Sequence, residues 1–579
     1  MIMALLVALN AAGVAAGPLT LAADGKSDYA IIIPSRPAPA EARAARELQT
    51  SLYTVTGVSL PIRSDHPPNP SKAILLGNPQ NNVAIRSLRI PFDAKALGDE
   101  GYVMRTVFDT LVLGGMTPRA TMYAAYGFLE DVVGCRWYGA EATVMPKRRT
   151  LTVTPMSSIV TPAFEYREPF YTEAWDKDWA ARNRCNGTFM QLDEETGGKI
   201  GYHPFVHTFW AILPPDQYFA QHPEYYSELD GVRKVEGGQL CLTNPEVLRL
   251  TVECVRRWIR EHPEARIFSV SQNDWYGCCQ CAECKKVIEE EGAQSGLVLR
   301  FVNAVAEQVC KDHPEKLIDT LAYQWTEQPP AKVRPHTNVR VRMAPIGNCF
   351  GHPIDGCERN KKPFENLLAW AKITDNLYIW HYNTNFAHYL APFPDFDELQ
   401  GSTRAYKKLG VKGIFYEGAY PRGGGSEFAE LRSWVLAKLL WDPSRDVWKL
   451  VDEFVNGYYG KAARPIRDYL RLLHDVVKKE NIHFGIYDHP KNLGYLRKDL
   501  VDKAEALFAE AERLAAGRPE LERVQKARLA IDYTRLAQAE TPEERAKYAD
   551  VVAEKIRRFG IHEVREGQPV EHFLQSIGK

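Results

Sequence analysis

Over residues 25–156 the apolar positions alternate between short continuous runs and helical stripes. YAIIIP (Tyr29 to Pro34) reads as a strand, and the next segment sets Ala45, Leu48, Leu52 and Val55 on one helical stripe that Gly57 stops. AILLGN (Ala73 to Asn78) is a second apolar strand, and GYVMRTV with TLVLGG reads as a hairpin. Thr117 and Pro118 open a helix that buries Tyr123, Tyr126 and Leu129 and ends at Gly134. The basic, small and proline-rich stretch MPKRRTLTVTPMSSIVTP then marks a boundary, so 25–156 reads as a small N-terminal α/β domain.

From Phe164 the rhythm becomes alternating strand and helix. AFEYRE is a first strand, NGTFMQL near Asn186 a second, and YHPFVHTF a third. Asn244 as N-cap and Pro245 behind it open a helix with Leu248, Val252, Val255 and Ile259 inward. ARIFSVSQ, LIDTLAY, VRVRMAP, LYIWHYN and VKGIFYEGA follow as strands, separated by helical stretches such as the one carrying Val298, Val302, Val305 and Val309. About eight strands over roughly 280 residues suit a (β/α)8 TIM-type barrel, placed at 160–442. After Asp442-Pro443 the strands stop. Leu500, Ala504, Leu507, Ala511 and Leu514 mark an amphipathic helix, and 443–579 reads as a helical region buttressing the barrel.

Composition narrows the class. The 579 residues are 45% hydrophobic and 25% charged, as in a globular protein. With 72 basic against 73 acidic residues, no net field draws in nucleic acid. Past the N-terminus no uncharged apolar run approaches the roughly 20 residues a membrane span requires. Residues 1–24 carry no charge before Asp24 and place small residues at Ala22 and Ala23, which reads as a signal peptide and a secreted or periplasmic protein. The alternative is an apolar first strand. Export would put the 11 cysteines in an oxidising compartment, where an odd total leaves one thiol unpaired.

In such a barrel chemistry sits where strands end and loops begin. The polar strand ends are Glu165, Arg167 and Glu168; Asn273, Asp274 and Trp275; Tyr323, Trp325 and Glu327; His381, Tyr382, Asn383 and Asn385; and Tyr416, Glu417 and Tyr420. Polar groups interleaved with Tyr and Trp suit a sugar site, where aromatic faces stack on pyranose rings. Asp274 and Glu417, on different strands, are the candidates to flank a glycosidic bond as acid and base, or as acid and stabiliser. Asn273, Trp275, Tyr323, Trp325, His381, Tyr382, Asn383, Arg167 and His207 are the candidate substrate contacts, and His203 is another histidine that could bond a sugar hydroxyl. The plainer readings are a turn or N-cap carboxylate for Asp274, a buried partner of Arg167 or another base for Glu417, and structural histidines.

GCCQCAEC follows the Asn273-Asp274 pair. Its C-x-C-x2-C spacing can present Cys279, Cys281 and Cys284 to one zinc, with Cys241 in QLCLTNP as a fourth ligand. A structural zinc or disulfides would equally pin the loop that carries Asp274. No cofactor is expected for catalysis, since no H-E-x-x-H or comparable set accompanies the cysteines. There is no P-loop and no G-x-S-x-G, and the glycines of PRGGGSE read as a flexible active-site loop.

HTFWAILPPDQYFAQHPEYYSELDG, QLCLTNPEV, SVSQNDWYGCCQCAEC and LLWDPSRDVWKLVDEFVNGYYG together resemble the bacterial family catalogued as domain of unknown function 4838, recognised as glycoside hydrolase family 163. The resemblance runs from about residue 30 to 475 and includes an N-terminal domain like that of α-glucuronidases and hexosaminidases. It implies an endo-β-N-acetylglucosaminidase acting on N-glycans, retaining, with the substrate's own acetamido oxygen as nucleophile. Asp274 would then be the acid or the carboxylate orienting the acetamide, with Asn273 beside it, and Glu417 the second carboxylate. The other readings are an α-glucuronidase-like inverting exo-glycosidase and a non-catalytic glycan-binding protein. In each the partner is a glycan or glycoprotein.

Overall fold

The computed structural model describes residues 17–66, 71–421 and 423–579. They form two compact units. The first runs to Pro162 and takes in Lys177–Arg184 and Leu192–Gly198; the second holds Ala163–Asp176, Cys185–Gln191 and Lys199–Lys579.

In the first unit a mixed six-stranded sheet runs in the order Ser157–Val160, Tyr102–Val107, Thr110–Gly115, Ala73–Leu76, Ala30–Ile33, Ile62–Ser64. The hairpin expected at Tyr102–Gly115 is present and antiparallel, and the inner apolar strands pair in parallel. Helix Pro39–Thr56 buries Ala45, Leu48, Leu52 and Val55 and ends at Gly57, whose φ of 77° only glycine takes without strain. Helix Pro118–Phe128 starts where the Thr117 side chain accepts the Ala120 N–H. Residues 1–16 of the expected export signal lie outside the described residues. Leu19–Ala23 is a strand paired antiparallel with Thr150–Val153, with Leu19, Leu21 and Ala22 buried.

The second unit is built on six parallel strands: β1 (Tyr166–Phe170), β2 (Ile267–Ser269), β3 (Leu317–Tyr323), β4 (Val339–Ala344), β5 (Leu377–Tyr382) and β6 (Gly413–Glu417). Their order is β1-β6-β5-β4-β3-β2. This is a half-barrel sheet and corrects the expectation of eight strands. NGTFMQL and YHPFVHTF, between β1 and β2, are not regular strands, and Asn186 gives the reason for the first. Its side-chain carbonyl accepts the Arg167 N–H at 2.9 Å and its amide donates to the Glu165 carbonyl at 2.7 Å. Its own backbone N–H donates to the Arg167 carbonyl at 3.3 Å, so Asn186 meets β1 through one residue, side chain and main chain together, in place of a continuous ladder. The gap is crossed by scattered backbone contacts, including Ile200 N–H to the Asn186 carbonyl at 2.8 Å and a lone parallel bridge between Tyr202 and Ile267.

Inside the sheet's curve, Tyr166, Tyr202, Tyr378, Phe415 and Phe170 form an aromatic core. Arg342 of β4 lies within it, 4.3 Å from the Phe205 ring and 5.1 Å from that of Trp380, and pairs with Asp319 at 2.8 Å. Both charges are fully buried, so the pair is held by mutual attraction and by the ring faces around it.

Helix Pro245–Glu261 opens at Asn244 as expected; Val247, Val252, Val255 and Ile259 are buried, and Leu248 sits at the margin. Helix Gln294–Val309 buries Val298, Val302, Val305 and Val309. The C-terminal region is helical, with Lys498–Ala515 burying Leu500, Ala504, Phe508 and Ala511 while Leu507 and Leu514 are half-buried. Strands do not stop at Asp442, however: Glu563–Arg565 and Gln568–Pro569 form a small antiparallel hairpin. No helix among the described residues is long and apolar enough to cross a membrane.

Candidate active site

A pocket of about 220 Å³ opens at the C-terminal ends of the parallel strands. Leu321 and Tyr323 of β3, Ala344 of β4, Trp380 and Tyr382 of β5 and Glu417 of β6 form its floor and sides. Loops add His207, Asp274, Ile346, Phe386, Tyr487 and Glu566. The structure therefore brings Asp274 and Glu417 to one hollow with aromatic walls.

Glu417 is only 8% exposed, and its Oε2 accepts the Trp380 indole N–H at 2.7 Å. Burial pushes its pKa up to about 8, and the charges of Glu566 and Asp274 add to the effect against the Trp380 bond and Arg342. This favours the protonated carboxyl at neutral pH, the state a general acid needs. The partner is an indole; the ion pair with Arg167 considered above does not form.

Asp274 differs in setting. Its side chain is 56% exposed, accepts the Tyr323 hydroxyl at 3.0 Å and lies 4.0 Å from His207 Nε2. The buried Gln239 presents it: Gln239 Oε1 accepts the Asn273 N–H at 2.8 Å, and Nε2 donates to the carbonyls of Asn273 (3.2 Å) and Trp275 (2.8 Å). One amide clamps the peptides on both sides of the aspartate. His207 has a left-handed φ of 54°. Its Nδ1 donates to the Gln272 carbonyl at 2.8 Å, which leaves Nε2 facing Asp274. Burial lowers the His207 pKa, against the Gln272 bond and the Asp274 charge, and so favours the neutral ring.

Two residues past Gln239, Cys241 joins Cys279, Cys281 and Cys284, with all four sulfurs within 4.8 Å of one another. Cys241 Sγ is 3.7 Å from Cys281 Sγ and 3.9 Å from Cys284 Sγ. The Glu228 N–H (3.3 Å) and the Arg233 guanidinium (3.6 Å) donate to Cys279 Sγ. Four converging thiols with N–H donors behind them suit a tetrahedral thiolate-bound ion. Gly277 belongs to the same junction: a Cβ there would lie 1.8 Å from the Gly237 carbonyl oxygen.

Tyr323, Tyr382 and His207 are in the pocket wall, and six other expected contacts are not. Side chains alternate across a strand, so with Trp380 and Tyr382 facing in, His381 faces out. There it is fully buried, bonded to the Tyr406 hydroxyl at 2.8 Å and Glu398 at 3.2 Å. Arg167 likewise points away, donating to the Phe164 carbonyl at 2.8 Å with its guanidinium over the Trp441 ring. Asn383 is buried against the Tyr171 hydroxyl, and its N–H donates to the Glu417 carbonyl at 3.0 Å, so it positions the end of β6. Asn273 is buried behind Asp274. Trp275 donates to the Gly238 carbonyl at 2.7 Å, and Trp325 to that of Trp275 at 3.2 Å, so these rings brace the loop. His203 stacks on His262 with centroids 3.5 Å apart.

The sequence reading missed Trp380, Phe386, Tyr487 and Glu566. Glu566 sits in the turn of the C-terminal hairpin, where Gly567 at φ 66° allows the reversal. Its N–H donates to the Phe386 carbonyl at 2.9 Å and its carboxylate accepts the Tyr420 hydroxyl at 3.0 Å. Burial raises its pKa, opposed by that bond and reinforced by the Asp274 charge. R-E-G-Q is a readable turn signal, but nothing local shows that it faces a distant sheet.

Fold and pocket define a large mixed α/β protein with a carboxyl-lined cleft at the strand ends of a half-barrel. The chain belongs to the family described as Domain of unknown function (DUF4838), whose model matches residues 137–471. Residues 24–128 match the model described as Glycosyl hydrolase family 67 N-terminus. Among solved structures it is similar to BtGH115A, described as a family GH115 4-O-methyl-alpha-glucuronidase with specificity for decorated arabinogalactans. That match has a TM-score of 0.58 at 13% identity and covers 94% of this chain and 77% of the other. It is also similar to a protein described as a GH138 enzyme targeting pectin rhamnogalacturonan II, with a TM-score of 0.52 at 12% identity over 92% and 73% of the two chains. At such identities the likeness is one of fold. No curated protein matches the sequence.

Proposed function

We propose that the chain is a glycoside hydrolase of the family 163 type, an endo-β-N-acetylglucosaminidase in which Glu417 is the general acid. The observation that carries this reading is a buried, indole-bonded Glu417, whose burial raises its pKa, across an aromatic pocket from the half-exposed Asp274. Glu417 donates its proton to the leaving glycosidic oxygen. The substrate's acetamido oxygen attacks the anomeric carbon, and Asp274, steadied by Tyr323, accepts the acetamide N–H and balances the charge that develops. Of the two roles the resemblance leaves for Asp274, the acid or the carboxylate orienting the acetamide, this takes the second; burial of one carboxyl and exposure of the other is the reason. The Cys241, Cys279, Cys281 and Cys284 cluster holds a structural zinc that fixes the Asp274 loop. The uncharged apolar sequence ahead of the Leu19–Ala23 strand supports export to the periplasm or medium.

The fold shared with a GH115 glucuronidase and the family 67 N-terminal match favour a second reading, an inverting exo-glycosidase in which Asp274 or Glu566 activates a water. The experiment is incubation with a panel of N-glycoproteins and oligosaccharides, reading product masses and the anomer first released. An intact antenna ending in one GlcNAc, released as the β-anomer, supports the endo reading. A single sugar released with inversion supports the exo reading. Glycan binding without products would refute both.

A further inference from the structure

We propose that Cys349, His352, Cys357 and His483 hold a zinc ion that fastens the loop after β4 to the chain leaving helix Ala463–Glu480. The four ligand atoms lie within 4.8 Å of one another. Cys349 Sγ is 3.4 Å from His352 Nδ1 and 3.3 Å from His483 Nδ1, and Cys357 Sγ is 3.5 Å from His483 Nδ1. A tetrahedral zinc with bonds of roughly 2.3 Å to sulfur and 2.0–2.1 Å to nitrogen has S···N edges of about 3.5 Å. Two sulfurs and two imidazole nitrogens in that arrangement are a donor set that selects zinc among the divalent ions. A Cys349–Cys357 disulfide would explain the sulfurs alone and leave two ring nitrogens converging on them without cause.

The surrounding structure is shaped to hold the ligands. Asn360, fully buried, accepts the Cys349 N–H at 2.7 Å and donates to the carbonyls of Cys349 (3.0 Å) and His352 (3.3 Å). One amide therefore sets the backbone of two ligands, the supporting shell expected of a metal site. On the other side, Asn481 ends the helix in a left-handed turn at φ 51°, and His483 follows. The two segments meet backbone to backbone, with the Phe350 N–H donating to the Phe484 carbonyl at 2.9 Å. Gly351 permits the approach, since a Cβ there would lie 2.7 Å from the Ile482 carbonyl oxygen.

The placement gives the ion a task. Ile346 lies just before Cys349, Tyr487 just after His483, and both line the carboxyl pocket. The zinc ties together two segments of the pocket wall that are far apart in sequence. This inference is independent of the hydrolase reading.

The test uses the full chain, reduced, stripped with chelator and titrated with zinc, with bound metal counted by native mass spectrometry. Cys357→Ser and His483→Gln should each hold one zinc fewer than wild type. In the wild-type protein zinc should slow alkylation of the half-buried Cys357 and slow hydrogen exchange of the Phe350 amide; this measurement stands even if a variant fails to fold. Equal zinc counts in wild type and folded variants, alkylation of Cys357 unaffected by zinc, or a native Cys349–Cys357 disulfide in zinc-free protein would overturn the proposal.

Discussion

Replacing Glu417 with Gln keeps the shape of the side chain and an oxygen to accept the Trp380 N–H, but removes the titrating group. Folding moves Glu417 from an ordinary 4.5 to about 8. Below pH 4.5 the carboxyl is protonated in folded and unfolded chains alike, so it contributes no difference. As pH rises from 4.5 toward 8, the unfolded chain releases this proton and the folded one keeps it, so stability is lost through that window. Above 8 the folded protein carries a buried charge and the penalty is complete. At about 1.4 kcal/mol per tenfold in proton affinity, it amounts to about 3 kcal/mol at pH 7 and about 5 kcal/mol beyond pH 8. Gln escapes it. Glu417→Gln should therefore be no more stable than wild type near pH 4.5 and increasingly more stable toward pH 8.5, while turnover falls on the order of 10²- to 10⁴-fold. Glu168, Asp319 and Asp395, also pushed up by burial, titrate in both proteins and cancel in the comparison. Unfolding midpoints of the pair across pH 4.5 to 8.5 decide the matter. A stability difference that does not change with pH, or full activity in the variant, would refute the argument.

Three further outcomes follow from the same pocket. Asp274→Asn should lower the rate on the order of 10²-fold or more with an unchanged melting midpoint, because the side chain is half in water. Trp380→Phe removes the N–H that favours ionised Glu417, so the alkaline limb of the kcat/KM profile should move to higher pH. Glu566→Gln removes a neighbouring negative charge and should move that limb to lower pH. Shifts of the same sign in these two variants would show that another group sets the limb.

Local signals carried much of the fold. The Thr117 and Asn244 caps, the stops at Gly57 and Gly134, and the valine stripe at 298–309 stand where the pattern put them, because caps and helical stripes act over a single turn. The thiol cluster was legible from its spacing. The two missing strands were not; at the first, Asn186 meets the neighbouring strand through its side chain as well as its N–H, an outcome the apolar pattern does not encode. At the strand ends the pattern named neighbourhoods correctly and faces imperfectly: His381 and Arg167 stand beside inward-facing residues but face the other way.

The sequence by itself determined the helices and most strands, the four-cysteine junction, and the polar and aromatic character of the strand ends, all properties of residues close together in the chain. Only the tertiary structure decided which strand-end residues look into the pocket, since one step along a strand reverses the face. It also delivered Glu566, Tyr487 and His483 from the C-terminal region to loops of the parallel sheet. And it decided that Glu417 is buried beside other carboxylates, which raises its pKa, while Asp274 meets water, because burial and neighbouring charge exist only once the chain has folded.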